Sequence, residues 1–512
     1  MSLLRHASTV VSLTLLSRVL GFARDAAVAA LFGTGAVADA SVAGLAIPQL
    51  ARRLLGEGAL NAAILPRLLP ASPAGPAPRL AGALILVFTL AAVLIAALLA
   101  LLMPQVTALL APGFLDDPAR AEGAVLAGRI AMVALPLAAG AGVLAALVYA
   151  AGRVTRPAFA PAAGNLAVLA VIGAFAFLHA GTAEGFGPRA LAFLAMATVA
   201  GALAQLMVIG AALPHRAGAL LPDRAALKAA LPVLVAAGPT LFAAALPQLR
   251  ILVANASASG LEGGVSALFY ATRLVELPLG LVGASAGAVL LPALAARGGA
   301  ENPTGQNLRG QNLLGHALVA ALALTAPAAA GLALLAEPIV RVLFQRGAFD
   351  AAASALTVEA LAMLALSLPL QAMERILSTA AFAQGLGRLV TRTSVAALLA
   401  GGVIGFAAAG PLGLAGPALG VVASSLVALI GLWGGLARAG LLRLGGGEWR
   451  RLTGCLLATL AMAVMVGLGA HLLAGPLAAG GLPGALRLGL LVLAGIAVYG
   501  LAARSLGLLP RR

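Results

Sequence analysis

Apolar residues run through this chain in long blocks, each closed by glycine, proline or charge. The blocks fall near 8–32, 39–66, 80–111, 122–152, 157–180, 188–214, 225–258, 265–296, 311–336, 352–385, 388–409, 413–436, 451–474 and 484–506. About 20 apolar residues of helix cross a bilayer core, where every backbone polar group must be paired within the protein. The pattern predicts an all-α polytopic membrane protein of about 14 transmembrane helices. Several blocks exceed what a bilayer needs, so tilt or extension into the interface is expected. The first block follows Arg5 as a secretory leader would. However, Arg18, Arg24 and Asp25 interrupt it and no small-residue cleavage site precedes a polar segment, so it reads as a retained first helix.

Composition agrees. Of 512 residues, 62% are hydrophobic and 9% charged, against about 25% charged in a soluble globular protein. So little polar surface could not cover this chain in water. The net charge of +16 would suggest nucleic acid in a soluble protein. Here the basic residues are isolated and form no aromatic-interleaved patch, which speaks against a nucleic-acid partner. A single cysteine, Cys455, excludes a disulfide framework and a cysteine metal site, and the five histidines lack ligand spacing, so no metal and no cofactor are expected. There is no Walker loop and no Ser/His/Asp constellation, and no connection is long enough for an extramembrane catalytic domain. A transporter is expected rather than an enzyme.

The basic residues also set an orientation. With the N-terminus, the even-numbered connections and the C-terminus taken as one side, that side holds nineteen Lys and Arg residues, among them Arg67, Arg79, Arg153, Arg156, Arg388, Arg443 and Arg450. The other side holds five, Arg120, Arg189, Arg341, Arg346 and Arg487, and carries Asp116, Asp117 and Glu122 in one connection. The positive-inside rule then places both termini in the cytoplasm. A faint repeat joins Leu135-Pro136 and Gly152 of the fourth block to Leu368-Pro369 and Gly385 of the tenth, with a Pro-to-Gly interval of sixteen residues in both. A repeat offset of six spans suggests two six-helix lobes around a central cavity, 1–214 and 215–440, followed by two helices in 441–512.

Nineteen and five leave eight of the 32 basic residues inside spans: Arg18, Arg24, Arg52, Arg53, Arg129, Arg250, Arg273 and Arg375. An arginine at mid-bilayer costs at least about 2.5–3.5 kcal/mol, so such residues face water, a partner or a ligand. Arg129 and Arg250 lie near a helix end and can snorkel, and Arg375 adjoins Glu374. In the first helix, Arg18 and Asp25 share one face and Ser17 and Arg24 another. The second carries Gln49, Arg52, Arg53 and Glu57, where Arg53 and Glu57 at i and i+4 can pair and leave Arg52 over. In the eighth, Arg273 and Glu276 at i and i+3 form a similar pair. Five arginines against Asp25, Glu57 and Glu276, with Asp39 at the external rim, leave a surplus of about two positive charges. Guanidinium suits phosphate because its planar fork binds oxygens bidentately and stays charged when desolvated, so the cavity is expected to take an anionic ligand. The alternative is that these charges only join helices.

These residues also carry a likeness. Ser17-Arg18-Val19-Leu20-Gly21-Phe22-Ala23-Arg24-Asp25, then Phe32-Gly33, Ala38-Asp39-Ala40, Pro48, Arg52-Arg53 and Glu57-Gly58-Ala59, closely resembles the lipid II flippase (MurJ/MviN) family. Pro157-Ala158-Phe159-Ala160-Pro161 with Asn165, Arg273-Leu274, Pro278-Leu279-Gly280 and Leu343-Phe344-Gln345-Arg346-Gly347 fit too, and the likeness runs to about residue 440. The resemblance implies the multidrug/oligosaccharidyl-lipid/polysaccharide exporter fold of fourteen helices, in a bacterial inner membrane. It implies movement of the undecaprenyl-diphosphate-linked peptidoglycan precursor, lipid II, between leaflets by alternating access, for cell wall biosynthesis. The family's essential cavity arginines fall on Arg18, Arg24, Arg52 and Arg273, with Asp39 and Glu57 also matching. The last two helices, 451–474 and 484–506, would hold the lipid tail. Implied partners are lipid II, membrane lipids and the cell-wall synthesis machinery.

The chain departs from the family pattern at Thr272, at Arg388-Leu389-Val390 and in the absence of acidic residues from the seventh and eleventh spans, which puts sodium coupling in doubt. The alternatives are export of another polyprenyl-linked glycan or small molecule, a membrane glycosyltransferase, and a scaffold that tolerates loss of its arginines. An acidic cavity would have favoured a drug exporter, and a long external loop with carboxylates an enzyme.

Overall fold

The computed structural model describes residues 2–56, 60, 64, 78–178, 187–213, 220–295, 303–473, 475 and 481–508; Glu57 lies outside them. In chain order the helices are α1 (Ser2–Phe32), α2 (Ala36–Gly44), α3 (Ala46–Ala51), α4 (Pro78–Leu101), α5 (Met103–Leu110), α6 (Pro118–Ala131), α7 (Ala134–Ala150), α8 (Thr155–Leu178) and α9 (Gly187–Gly210). They continue as α10 (Arg224–Ala258), α11 (Gly264–Ala295), α12 (Pro303–Leu334), α13 (Ala336–Phe344), α14 (Ala351–Ala365), α15 (Ser367–Ala383), α16 (Gly387–Leu412), α17 (Ala415–Arg438), α18 (Gly446–Leu472) and α19 (Gly481–Ser505). A π-helical turn, Arg52–Gly56, extends α3, and a 3-10 turn, Pro112–Asp116, precedes α6. Among the described residues there is no strand. Contacts divide the chain into two compact units, Met1–Leu252 and Val253–Arg512.

The distribution of apolar residues suits lipid rather than water. Leu94, Leu98 and Leu101 of α4 and Leu399 and Val403 of α16 are exposed, while the interior is rich in alanine such as Ala127, Ala146, Ala195, Ala397 and Ala418. In a bilayer, large side chains gain little by leaving lipid, and helices associate through close packing of small residues. The α2–α6 contact shows this: a Cβ at Gly44 would run into the carbonyl oxygen of Ala124. Among the described residues, nine spans are long and apolar enough to cross a membrane, ten counting the bent pair α14–α15. The charged helices α1, α10 and α11 and the segmented second block are not among them.

Prolines mark the breaks. Pro104 has no N–H to offer the Ala100 carbonyl one turn back, where α4 gives way to α5. The Arg129 guanidinium of α6 donates to that oxygen instead, Nε to O 3.1 Å. Arg129 is thus an intramembrane cation partly occupied by the backbone. Arg250, the other arginine expected near a helix end, is buried. Pro136 and Pro369 each stand third in the helix that follows a break, at Met132–Val133 and at Leu366. Both helices end alike: Gly152 and Gly385 have φ of 74° and 72°, and the next residue's N–H reaches back five residues (Arg153 to Val148, Leu386 to Ala381). That is the glycine-closed C-terminus, which needs the left-handed conformation.

Candidate functional site

In the first unit, α1 supplies the centre of the site. Arg24 donates through Nε and Nη2 to one oxygen of the adjacent Asp25, at 2.9 and 2.7 Å, and through Nη1 to Asn165 Oδ1 of α8 at 3.1 Å. The Asn165 amide in turn donates to the Ser17 carbonyl at 2.9 Å and lies 3.5 Å from its hydroxyl. Asp25 is 5% exposed. The network pins α1 to α8 and fixes the Arg24 guanidinium part-way out of the protein. Gly21 lets Asn165 come close, since a Cβ there would lie 3.3 Å from its amide nitrogen. Arg18, part-buried one and a half turns earlier, makes no hydrogen bond or ion pair among the described residues. Asp25 therefore pairs with its neighbour Arg24 and not with Arg18, although Arg18 shares its helix face. Ser17 and Arg24 do meet, through Asn165.

The second block brings Gln49, Arg52 and Arg53, all part-buried, to the segment where α3 passes into the π turn. Arg53 Nη1 donates to Gln248 Oε1 of α10 at 2.9 Å. The expected Arg53–Glu57 pair lies outside the described residues. Asp39 of α2 is fully buried and lies 3.5 Å from Arg120 of α6. Arg120 also donates to Asp117 Oδ2 at 2.7 Å and covers the Phe114 ring at 4.8 Å. The Asp117 carboxyl is held below its ordinary value by the Arg120 side chain first and by the Arg120 backbone N–H at the α6 N-terminus second.

In the second unit, α11 carries Arg273. Its guanidinium meets Glu276 at 2.7 Å and covers the Phe269 ring at 4.5 Å. Neighbouring Tyr270, almost fully buried, packs on Phe344 and Phe349 and anchors this turn of α11. Among the described residues, no group of three or more His, Cys, Asp and Glu side chains could hold a metal ion.

Asn165, Gln248, Arg120 and Asp117 join these networks without standing out as site residues in the sequence. The available signal was polarity: Asn165 and Gln248 are amides in apolar helices. Periodicity shows which face a residue occupies but not which helix it meets.

Residues 28–484 match the family described as lipid II flippase MurJ. A probable lipid II flippase MurJ of Rhizobium meliloti is 34% identical over 382 residues, covering 72% of this chain and 68% of the relative. One from Bdellovibrio bacteriovorus is 33% identical over 395 residues, 73% of this chain and 70% of the relative. Among solved structures, a lipid II flippase MurJ in an inward closed conformation superposes with a TM-score of 0.79 at 19% identity, covering 96% of this chain and 97% of that one. An inward-facing multidrug resistance MATE family transporter of the MOP superfamily gives 0.66 at 18% identity, over 85% and 98%. At those identities the likeness is one of fold.

Proposed function

The chain belongs to the lipid II flippase MurJ family, and we propose that it carries lipid II across a bacterial inner membrane by alternating access, with its cavity arginines gripping the diphosphate. It is a multi-pass membrane protein and a flippase by family. Fourteen spans in lobes 1–214 and 215–440, a tail-binding pair in 441–512, and cytoplasmic termini complete the reading.

One observation gives the reading its chemistry. Arg24 is fixed by Asp25 and Asn165 on a helix that also carries Arg18, for which no described residue supplies a counter-charge. Fixed positive charge of that kind in a membrane is tolerable where a ligand or water neutralises it. A diphosphate offers several oxygens to planar guanidinium groups, and bidentate pairing favours arginine over lysine. Arg18, Arg24, Arg52 and Arg273 are assigned to the diphosphate. Ser17, Asp25, Gln49, Arg53, Glu57 and Glu276 hold them in place, and Asp39 fixes α2 through Arg120.

The test is depletion of the protein followed by measurement of which leaflet holds the lipid-linked precursor. Accumulation in the inner leaflet, reversed by the wild-type chain and not by Arg24→Ala, is expected. A precursor that still reaches the outer leaflet after depletion overturns the assignment.

A further inference from the structure

A cleft apart from the arginine networks lies in the first unit. There α5, the 3-10 turn and α6 enclose a cleft of about 460 Å³, within the roughly 300–1,000 Å³ of small-molecule sites. Its walls are mainly apolar, including Pro104, Ala108, Leu115, Val125 and Leu126, and two charged residues, Glu122 and Arg129, lie along it. We propose that this cleft binds a phospholipid of the surrounding membrane whose headgroup pairs a phosphate with an N–H-bearing ammonium.

The charges carry the argument. Glu122 and Arg129 stand seven residues apart on α6, hence on one face and about 10 Å apart along the axis, too far to neutralise each other directly. Glu122 is exposed, and no described residue bonds to it. Arg129 gives Nε to the Ala100 carbonyl, and its two terminal nitrogens have no partner among the described residues. Glu122 is one turn from the start of α6, and Arg129 lies two turns further into the span. From interface to interior the cleft thus presents an anion and then a cation, with apolar side chains such as Val125 and Leu126 between them. A phospholipid with an ethanolamine headgroup presents the complementary order of ammonium and then phosphate, together with acyl chains suited to apolar walls. A choline headgroup has no N–H to donate to Glu122, and a glycerol headgroup has no cation for it.

The experiment is native mass spectrometry of the purified full-length protein, titrated with phosphatidylethanolamine, phosphatidylcholine or phosphatidylglycerol of matched chains. Loss of a charge-assisted hydrogen bond is worth about tenfold in affinity, so phosphatidylethanolamine should bind about tenfold more tightly than phosphatidylcholine. Glu122→Gln, at an exposed position, should remove that preference without lowering phosphatidylcholine binding. Val125→Trp should fill the cleft and weaken phosphatidylethanolamine while both charges remain. Soluble phosphoethanolamine should not compete, because it lacks the chain. Equal affinity for the three lipids, preference for phosphatidylglycerol, or a preference unchanged in both variants overturns the proposal. Because none of these readouts measures lipid II movement, the outcome stands apart from the flippase assignment.

Discussion

Arg24 and Arg18 share a helix and differ in what holds them, and that difference predicts different tolerance. Arg24 divides its donors between Asp25 and Asn165, a geometry a lysine ammonium cannot reproduce from one point. Arg24→Lys should therefore lower both thermal stability and complementation of a depleted strain. Arg18→Lys should leave stability unchanged, because no bond to a described residue is lost. Its complementation should fall only as far as bidentate phosphate binding matters. Asn165→Ala removes an acceptor from Arg24 and a donor from Ser17, a loss of about 1–3 kcal/mol where the groups left behind are buried. A melting curve in detergent checks it, and an unchanged midpoint would show that the network is not holding α1. At this scale the sequence revealed which residues carry charge and the local Arg273–Glu276 pair, but not partners on other helices. The Arg24–Asn165 bond joins residues 141 apart in the chain, and no local period encodes it.

Helices in this protein start and stop by rules that were partly legible. The Pro-to-Gly interval common to the fourth and tenth blocks reappears as two matching helices, α7 and α15, each opened after a break and closed by a left-handed glycine. Gly152 and Gly385 have open space where a Cβ would go, so their glycines answer to backbone conformation alone. Alanine at either should cost about 1–2 kcal/mol, equally at both positions, read as a lower thermal midpoint. At the other end of a helix, Asp117 caps α6, and its carboxyl lies below the ordinary 3.8 because Arg120 donates to it from side chain and backbone. A depressed folded value means its stabilisation is present above 3.8 and is lost as pH falls through the folded value. The difference in melting temperature between wild type and Asp117→Asn should shrink on acidification through that window. A difference independent of pH would mean the carboxylate is not the group responsible. The π turn at Arg52–Gly56 was not legible, since its sequence reads equally well as α-helix and only tertiary packing selects the wider turn.

For the whole molecule, class was readable from composition, because so few charged residues cannot cover a folded chain in water. The separation into units at Leu252 was not, since it depends on contacts between distant helices. Orientation rests on the nineteen-to-five asymmetry of basic residues, and the molecule offers a direct way to measure it. Cys455 is the single cysteine and is fully buried, so an introduced thiol would report its own side of the membrane. Asp116, in the turn before α6, and Gly447, in the first turn of α18, are both exposed. Asp116→Cys should react with an impermeant maleimide in intact spheroplasts, and Gly447→Cys only after the membrane is opened. The reverse pattern would place the basic connections outside. It would also turn the proposed transport direction around, because a cavity loaded from the cytoplasm must open on the side where lipid II is made. Labelling at both sites without permeabilisation would mean that the two connections share a side, and the count of spans between them would have to change parity.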